Sequence, residues 1–230
     1  MEGLEENIKD IWSRIEKTAA KVGKNREDIK LAAVTKTVKV ERIKEAIKCG
    51  IQIIGENKVQ EAESKFDRIT EKVEKHLVGH LQTNKAKKAV ELFDLIQSVD
   101  SQHLAQEISK RADQMGKVMD VLVEINTSGE KTKFGIDPVE ALSFIKSISN
   151  WEGIKIRGLM TIGLFSDNPE DTRPCFKKLK SIFEKIKSEN IPRVEMRYLS
   201  MGMTSDFEVA IQEGSNMVRI GTGIFGPRGS

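Results

Sequence analysis

Short apolar runs alternate with amphipathic runs along the whole chain, no Pro- or Ser-rich linker interrupts them, and the last apolar run lies close to the C-terminus. Together these features predict an α/β protein built as a single (β/α)8 TIM-like barrel with an extra N-terminal helix. The apolar runs number eight, as a closed barrel requires; a doubly wound open sheet is the alternative, because strand order is not encoded in spacing. At 230 residues the chain has the size of such a barrel, and one domain over residues 1–230 is expected.

Leu4, Ile8, Ile11, Trp12, Ile15 and Ala19 recur at three- and four-residue intervals, so the chain opens on an amphipathic helix that Gly23 stops. Leu31-Ala32-Ala33-Val34 is a continuous apolar run of the kind covered on both faces in a parallel sheet, and it leads directly into Thr35-Lys36-Thr37. A helix with Val40, Ile43, Ala46 and Ile47 on one face follows and ends at Gly50; residues 51–54 form a second strand that leaves through Gly55-Glu56-Asn57. Next come a helix over about 59–69, a third strand over 76–79, a basic helix over 84–93 and a fourth strand over 95–99. Leu104, Ala105, Ile108, Ala112 and Met115 mark the next helix. Residues 118–125, rich in valine and isoleucine, are the clearest strand, and they open into a polar loop over 126–135 whose glycines and lysines predict mobility. Asp137 as a cap, Pro138 at the first helical position and Glu140 as a capping-box acid predict a helix start, with Leu142, Ile145 and Ile148 turned inward. Strands over 154–160 and 194–199 flank a helix lined by Phe176, Leu179, Ile182, Phe183 and Ile186. A short helix over 206–212, stopped by Gly214, leads to the eighth strand over 217–220 and to Gly221-Thr222-Gly223.

The 38 basic and 35 acidic side chains are interleaved, leaving a net charge of +3, which is the pattern of solvated helix faces and argues against a nucleic-acid or acidic-membrane surface. Cys49 and Cys175 are far apart and form no CxxC pattern, so a disulfide framework is not expected and a reducing compartment fits. No apolar run approaches the ~20 residues that span a bilayer. The acidic N-terminus, Met1-Glu2-Gly3-Leu4-Glu5-Glu6, lacks a signal-peptide core, so the expected location is cytoplasmic. No exposed apolar helix face stands out, and a monomer is expected.

A barrel builds its functional face from the C-terminal ends of its strands, which places Lys36, Asn57, His80, Met160, Ser200 and Arg219-Ile220-Gly221-Thr222 around one mouth. A lysine leaving a buried strand either reaches water or does chemistry, since burying it unpaired costs several kcal/mol. The loop after the seventh strand carries Ser200, Gly202, Thr204 and Ser205; the loop after the eighth carries Gly221, Thr222 and Gly223. Small residues let backbone N–H groups approach a phosphate, and barrels often bind phosphate with these two loops. Either loop alone reads as an ordinary glycine turn; the two together favour a phosphate site. Gly221 to Gly226 also matches G-x-G-x-x-G, but only four residues follow, and a dinucleotide site needs a βαβ unit with an acid ~20 residues on. His76 and His80 flank a strand without the acid of an H-E-x-x-H pattern, so no metal site is expected. Cys49 has no histidine nearby in sequence, and Ser200 lacks a G-x-S-x-G elbow. A lysine with a phosphate cradle suits a phosphorylated carbonyl held as a Schiff base, either pyridoxal phosphate or the sugar phosphate of an aldolase. Arg219, just before the second loop, is the residue that discriminates between them.

With these residues assembled, the chain resembles the pyridoxal-phosphate homeostasis protein family, which is itself similar to the N-terminal barrel of alanine racemase and of eukaryotic ornithine decarboxylase. The resemblance covers nearly the whole chain and rests on Ala33-Val34-Thr35-Lys36-Thr37, Gly55-Glu56-Asn57-Lys58-Val59-Gln60-Glu61, His76 to Lys85, Arg157-Gly158-Leu159-Met160, Leu199 to Asp206 and Val218-Arg219-Ile220-Gly221-Thr222. His80 stands where many members have proline. The resemblance implies that Lys36 holds pyridoxal 5'-phosphate (PLP) as a Schiff base. It also implies phosphate contacts from Ser200, Gly202, Gly221 and Thr222, a pyridine-nitrogen contact from Arg219, and Asn57 and Met160 along the ring. A guanidinium only donates, so it would keep that nitrogen unprotonated and the ring a poor electron sink. The related racemases resemble this barrel plus a β-domain that supplies a tyrosine; here the sequence stops at Ser230, and the single tyrosine, Tyr198, falls inside the seventh strand as packing. The expected function is therefore intracellular PLP homeostasis without a catalytic residue. The protein would buffer the cofactor or deliver it to PLP-dependent apo-enzymes, and so influence amino-acid and keto-acid balance. The alternative is a weak PLP-dependent amino-acid racemase.

Overall fold

The computed structural model describes residues 3–130 and 132–227; the expected domain limits at Met1 and Ser230 lie outside the described residues, as does Lys131 of the polar loop. An N-terminal helix α1 (Leu4–Lys21) precedes β1 (Lys30–Val34), α2 (Val40–Lys48), β2 (Ile53–Glu56), α3 (Val59–Phe66), β3 (Glu74–Leu77) and α4 (Ala86–Leu92). The chain continues through β4 (Leu95–Val99), α5 (Gln102–Gln114), β5 (Met119–Glu124), α6 (Ala141–Ile148), β6 (Ile154–Met160), α7 (Arg173–Ser188), β7 (Val194–Ser200), α8 (Phe207–Gln212), β8 (Met217–Ile220) and α9 (Thr222–Phe225). The strands pair in sequential order, and β8 pairs back on β1 from Lys30↔Met217 to Ala33↔Ile220, so the sheet closes. That closure decides between the barrel and the open sheet.

The helices bury one face each on the outside of the strands, as their periodicity requires: Ile43 and Ala46 of α2, Leu104 and Ile108 of α5, Phe176, Leu179 and Phe183 of α7. The extra helix α1 packs on α8 and α9, fixed by Asn7 Nδ2 donating to the Ile224 carbonyl (3.0 Å) and by Arg14 on Glu208 (3.1 Å). Among the described residues no helix is long and apolar enough to cross a membrane.

Three local expectations change. Strands β2 and β3 are each displaced by two residues from the apolar runs, β2 toward the C-terminus and β3 toward the N-terminus. Ile51 donates its N–H to the Ala46 carbonyl and belongs to the exit of α2, while Glu74 and Lys75 enter β3 because they pair with Ile53 and Ile54. Helix α6 starts at Ala141 and not at Pro138. Asp137 Oδ1 accepts from the Val139 N–H (2.9 Å) and the Asp137 carbonyl from the Glu140 N–H (3.0 Å), which makes 137–140 a turn. The same shift buries Phe144 and leaves Leu142 at the edge. The polar loop after β5, expected to be mobile, is knitted together by Asn126. Its Nδ2 donates to the carbonyls of Glu130 (2.9 Å) and Lys133 (3.2 Å), and its Oδ1 accepts from Ser128 and Gly129.

Gly158 lets β6 lie directly on β7. Its φ is +149°, and a Cβ there would fall 1.8 Å from the Tyr198 carbonyl oxygen, at the irregular register between Ile156 and Gly158. Replacing Gly158 by alanine should therefore destabilise the barrel by about 3 kcal/mol or more, read as a lower urea midpoint at unchanged slope; a wild-type midpoint would remove this constraint.

Candidate functional site

Lys36 follows β1 and is half-buried in a cavity of about 350 Å³ that it lines together with Thr37, Lys39, Arg42, Gly221 and Thr222. The residues on either side of it are clamped from α3. Lys65, nearly buried, donates to the Thr35 carbonyl (2.8 Å), to Glu56 Oε1 (2.9 Å) and to Glu61 Oε1 (2.6 Å), using all three of its N–H groups. The Thr35 hydroxyl donates to Glu56 Oε1 (2.6 Å), and the Thr37 N–H donates to Glu61 Oε1 (2.5 Å). Thr37 adopts φ +63°, an uncommon conformation for a β-branched residue, and the Glu61 contact holds that turn. Burial pushes the Glu56 carboxyl upward, against the hydrogen bonds from Thr35 and Lys65, and its Oε2 is buried without a partner among the described residues.

A second network crosses the lumen. Gln97 on β4 and Ser200 on β7 are joined at 2.7 Å although their strands are not neighbours, so both side chains point into the barrel. Arg219 Nη1 donates to Ser200 Oγ (2.7 Å) and Nη2 donates to the Thr161 carbonyl (2.7 Å). Gln97 fixes the direction of the chain: its Oε1 only accepts, so Ser200 donates to it, and its Nε2 only donates, so His76 Nδ1 accepts (3.0 Å). His76 then carries its proton on Nε2, which faces Glu74 Oε2 at 3.4 Å near the opposite rim. Burial pulls the Arg219 guanidinium down to about 10, opposed by Glu124 and Asp206, so it is a cation at neutral pH. Leu95, Leu122, Met160 and Met217 form an apolar layer inside the barrel, with Tyr198 packed against it.

The expected residues thus fall into distinct positions. Arg219 lies in β8, and Gly221 follows the strand directly as the residue that opens α9. Gly221 has a negative φ (−108°, with ψ −81°), outside the helical and extended regions, and a Cβ there would meet only Val34 at 3.6 Å, so no packing demands a glycine beside the cavity. Gly202 differs: φ is +95° and a Cβ would lie 2.6 Å from Ala210 Cβ and 2.9 Å from Phe207 Cα, so this glycine lets α8 dock. The Ser200 hydroxyl holds Arg219 and Gln97, and Met160 is fully buried in the apolar layer. Thr222 is exposed at the rim, where its hydroxyl meets that of Thr204 (3.3 Å), which also accepts from the Gly223 N–H (3.2 Å). Asn57 is half-buried, and Gly79 presses on it, a Cβ at Gly79 falling 2.4 Å from the Asn57 carbonyl. His80 bonds Asp100 (3.1 Å) and stacks on Phe134 with ring centres 3.6 Å apart. Glu124, at the end of β5, is buried; burial pushes its carboxyl up to about 7, Asp100 acting the same way and Arg219 against it.

Lys65, Glu61, Gln97, His76, Thr161 and Glu124 were not expected at the site. Glu61 and His76 stand within the motifs that carry the resemblance, and Glu124 left a trace as an acid closing an otherwise apolar strand run, Val121-Leu122-Val123-Glu124-Ile125. Removing the Lys65 cation leaves Glu56 and Glu61 facing each other in a buried place. A Lys65→Met variant should lose about 3 kcal/mol of unfolding free energy at pH 8. Glu56 is a carboxyl whose folded value is raised, so it opposes folding as pH climbs through that value. The deficit should therefore shrink toward pH 5, and chemical denaturation at the two pH values checks the sign.

The sequence profile of the family described as alanine racemase, N-terminal domain, matches residues 7–229. A pyridoxal phosphate homeostasis protein of Aquifex aeolicus is 41% identical over 224 residues, covering 97% of each chain, and one of Pasteurella multocida is 38% identical over 228 residues, covering 98% of this chain and 97% of its own. Among solved structures, PipY of Synechococcus elongatus with PLP bound superposes with a TM-score of 0.80 at 32% identity, covering 92% of this chain and all of that one. Alanine racemase of Clostridium difficile shares the fold at 18% identity and a TM-score of 0.73, over 98% of this chain and 58% of its own. By profile and by full-length identity, the chain belongs to the family of alanine racemase N-terminal domains, among the pyridoxal phosphate homeostasis proteins.

Proposed function

We propose that this protein binds pyridoxal 5'-phosphate at the mouth of its barrel and serves PLP homeostasis, holding the cofactor on Lys36 as a Schiff base and buffering it or passing it to PLP-dependent apo-enzymes. The observation that carries this is the meeting, in one cavity, of half-buried Lys36 and Gly221, a glycine that packing does not require. A phosphate needs such a place, where backbone can approach without side-chain bulk, and an aldehyde needs an amine held in position. When bound, PLP supplies an electrophilic carbonyl that a lysine amine can capture. The names of the relatives at 38–41% identity and the PLP-bound PipY support the same choice of ligand.

Within this proposal the clamp on Thr35 and Thr37 aims the Lys36 amine. Gly221 and Thr222 receive the phosphate, and Thr204 joins them by tying the β7 and β8 loops together. Arg219 faces the ring nitrogen as a donor. Because it is held through Ser200 and Thr161 and only donates, it holds that nitrogen free of a proton and so disfavours carbanion chemistry. Ser200, Gly202 and Met160 then act one step away, through Arg219, α8 and the apolar layer, and Asn57 borders the ring. Holding the cofactor without turnover is the use this arrangement favours.

The purified protein, supplied with PLP, should absorb in the visible, and borohydride reduction followed by peptide mapping should place the adduct on Lys36. A colourless protein with no adduct there would end the cofactor proposal, and steady alanine racemisation above that of free PLP, abolished by Lys36→Ala, would overturn its non-enzymatic part. Replacing Arg219 by alanine should weaken PLP retention by roughly ten- to a hundredfold while leaving competition by inorganic phosphate nearly unchanged. Equal retention by variant and wild type would remove Arg219 from the ring.

A further inference from the structure

We propose that the groove between α6 and α7 docks an acidic, amphipathic helical segment of a partner protein, with Lys178 and Lys185 receiving its carboxylates. This extends the cofactor reading and rests on it only for what such a partner would collect at the mouth. The groove has a volume of about 940 Å³ and lies on the outside of the barrel. Pro138, Val139 and Leu142 line it at the start of α6, and Lys178, Ile182 and Lys185 line it from α7. Val139 is 88% exposed, more than any other large apolar side chain among the described residues. A single exposed valine is ordinary; one that shares a groove with Leu142 and Ile182 offers apolar surface for a ridge to cover.

The α7 wall carries its charges at a fixed spacing. Lys178, Ile182 and Lys185 fall four and three residues apart, so they share one face of the helix, the two lysines about 10 Å apart along its axis. Among the described residues neither ammonium makes a hydrogen bond or an ion pair. The acids at this end of the helix are engaged elsewhere: Glu184 binds Lys180 and Glu189 binds Lys146 (2.6 Å), so Glu189 feels Lys185 only as a more distant charge. Asp137, the acid along the groove, is turned to the Val139 N–H (2.9 Å). The groove therefore sets an apolar wall opposite one that bears two free cations. An apolar stripe flanked on one edge by acids two turns apart is complementary to it, and an amphipathic helix supplies both at once.

Other occupants fit less well. At about 30 Å³ for each water-sized group the groove holds roughly thirty of them, room for several side chains together. A bilayer is flat on this scale and would meet the rims of a groove while leaving its walls uncovered. The chain's own acidic amphipathic stretch, at the start of α1 with Glu5 and Glu6, has Leu4 and Ile8 buried, so a second copy has no free ridge there. The place of the groove also suits a partner that visits the mouth. Asn126 and Lys133, in the loop after β5, line the groove and also a smaller cavity of about 160 Å³ that Thr161 shares. The Thr161 carbonyl holds Arg219, so an occupant of the groove sits one loop away from the arginine assigned to the ring.

The test is fluorescence anisotropy of the full chain, with and without PLP, against a labelled helical peptide of about 15 residues. The peptide carries a leucine stripe at three- and four-residue spacing and two glutamates two turns apart along one edge of it. It should bind saturably with Kd of about 10–100 µM, weakened severalfold as salt is raised from about 50 to 300 mM. The same peptide with lysine in place of both glutamates should bind at least about tenfold more weakly. A Lys178→Glu, Lys185→Glu double variant should lose the glutamate peptide by a similar factor and gain the lysine peptide, and Val139→Ser should weaken binding about threefold or more. All three side chains are exposed, and both variants should keep the wild-type yield of borohydride adduct on Lys36. Peptide binding by a protein that forms no adduct would support the groove and sink the cofactor reading, so the two fail separately. No saturable binding, equal affinity for the lysine peptide, wild-type affinity in the double variant, or tighter binding to phosphatidylserine vesicles than to the peptide would each overturn the proposal.

Discussion

The interaction on which the mouth depends is the buried bridge from Lys65 to Glu56 and Glu61. A chain leaving a barrel strand has many ways to continue, and Lys36 sits where that freedom is greatest. Lys65 removes it by binding the carbonyl of Thr35 before Lys36, while Glu61 takes the N–H of Thr37 after it. The left-handed torsion at Thr37 is uncommon for a β-branched residue and persists because its neighbours over-determine it. A buried ion pair of this kind contributes little net stability, since desolvation offsets attraction. Its worth is positional, and the partnerless Oε2 of Glu56 is the residual cost of putting a charge there.

A second constraint runs down the barrel axis. Below Arg219 the amide of Gln97 sets the direction of each link, accepting from Ser200 and donating to His76. His76 ends the chain, its Nδ1 accepting from Gln97 and its Nε2 turned to Glu74. The histidine that looks in sequence like one half of a metal pair is instead the terminus of the network that orients the arginine, and His80 turns to Asp100 and Phe134 at the rim.

Much of the fold is legible in the sequence because a parallel barrel buries both faces of its strands, which leaves a continuous apolar run such as 31–34 at nearly its true bounds. Strand β3 begins two residues before its apolar run because Glu74 and Lys75 lie at the rim, where polarity carries no penalty and pairing alone decides. Strand β2 begins two residues after its run because the exit of α2 claims Ile51. The turn at 137–140 reads as a helix start because an aspartate that caps a helix and one that closes a turn bond their neighbours in the same way. At the site, Lys36, Arg219 and the glycine loops can be found from chemistry and spacing. Gly202 and Gly221 look alike in sequence and differ in structure, since only the position of α8 reveals that Gly202 is required by packing. Lys65 and Gln97 are illegible for a simpler reason: a lysine on a charged helix and a glutamine in a strand have no pattern until the barrel closes around them.

These two constraints act jointly on a cofactor seated at the mouth. In the proposed complex, a ring nitrogen set against a donor-only guanidinium would draw little electron density, so Arg219 would both secure the ring and restrain its reactivity. Arg219 cannot easily adopt another role, because Ser200 and the Thr161 carbonyl hold both ends of its fork. Lys36, by contrast, has backbone neighbours clamped from α3 and lines the cavity at the mouth, where it is half-buried. Under the proposed function, firm orientation at the base of the ring and an amine at the rim would be the combination a carrier needs, since an enzyme that must direct protons would have to close the mouth first.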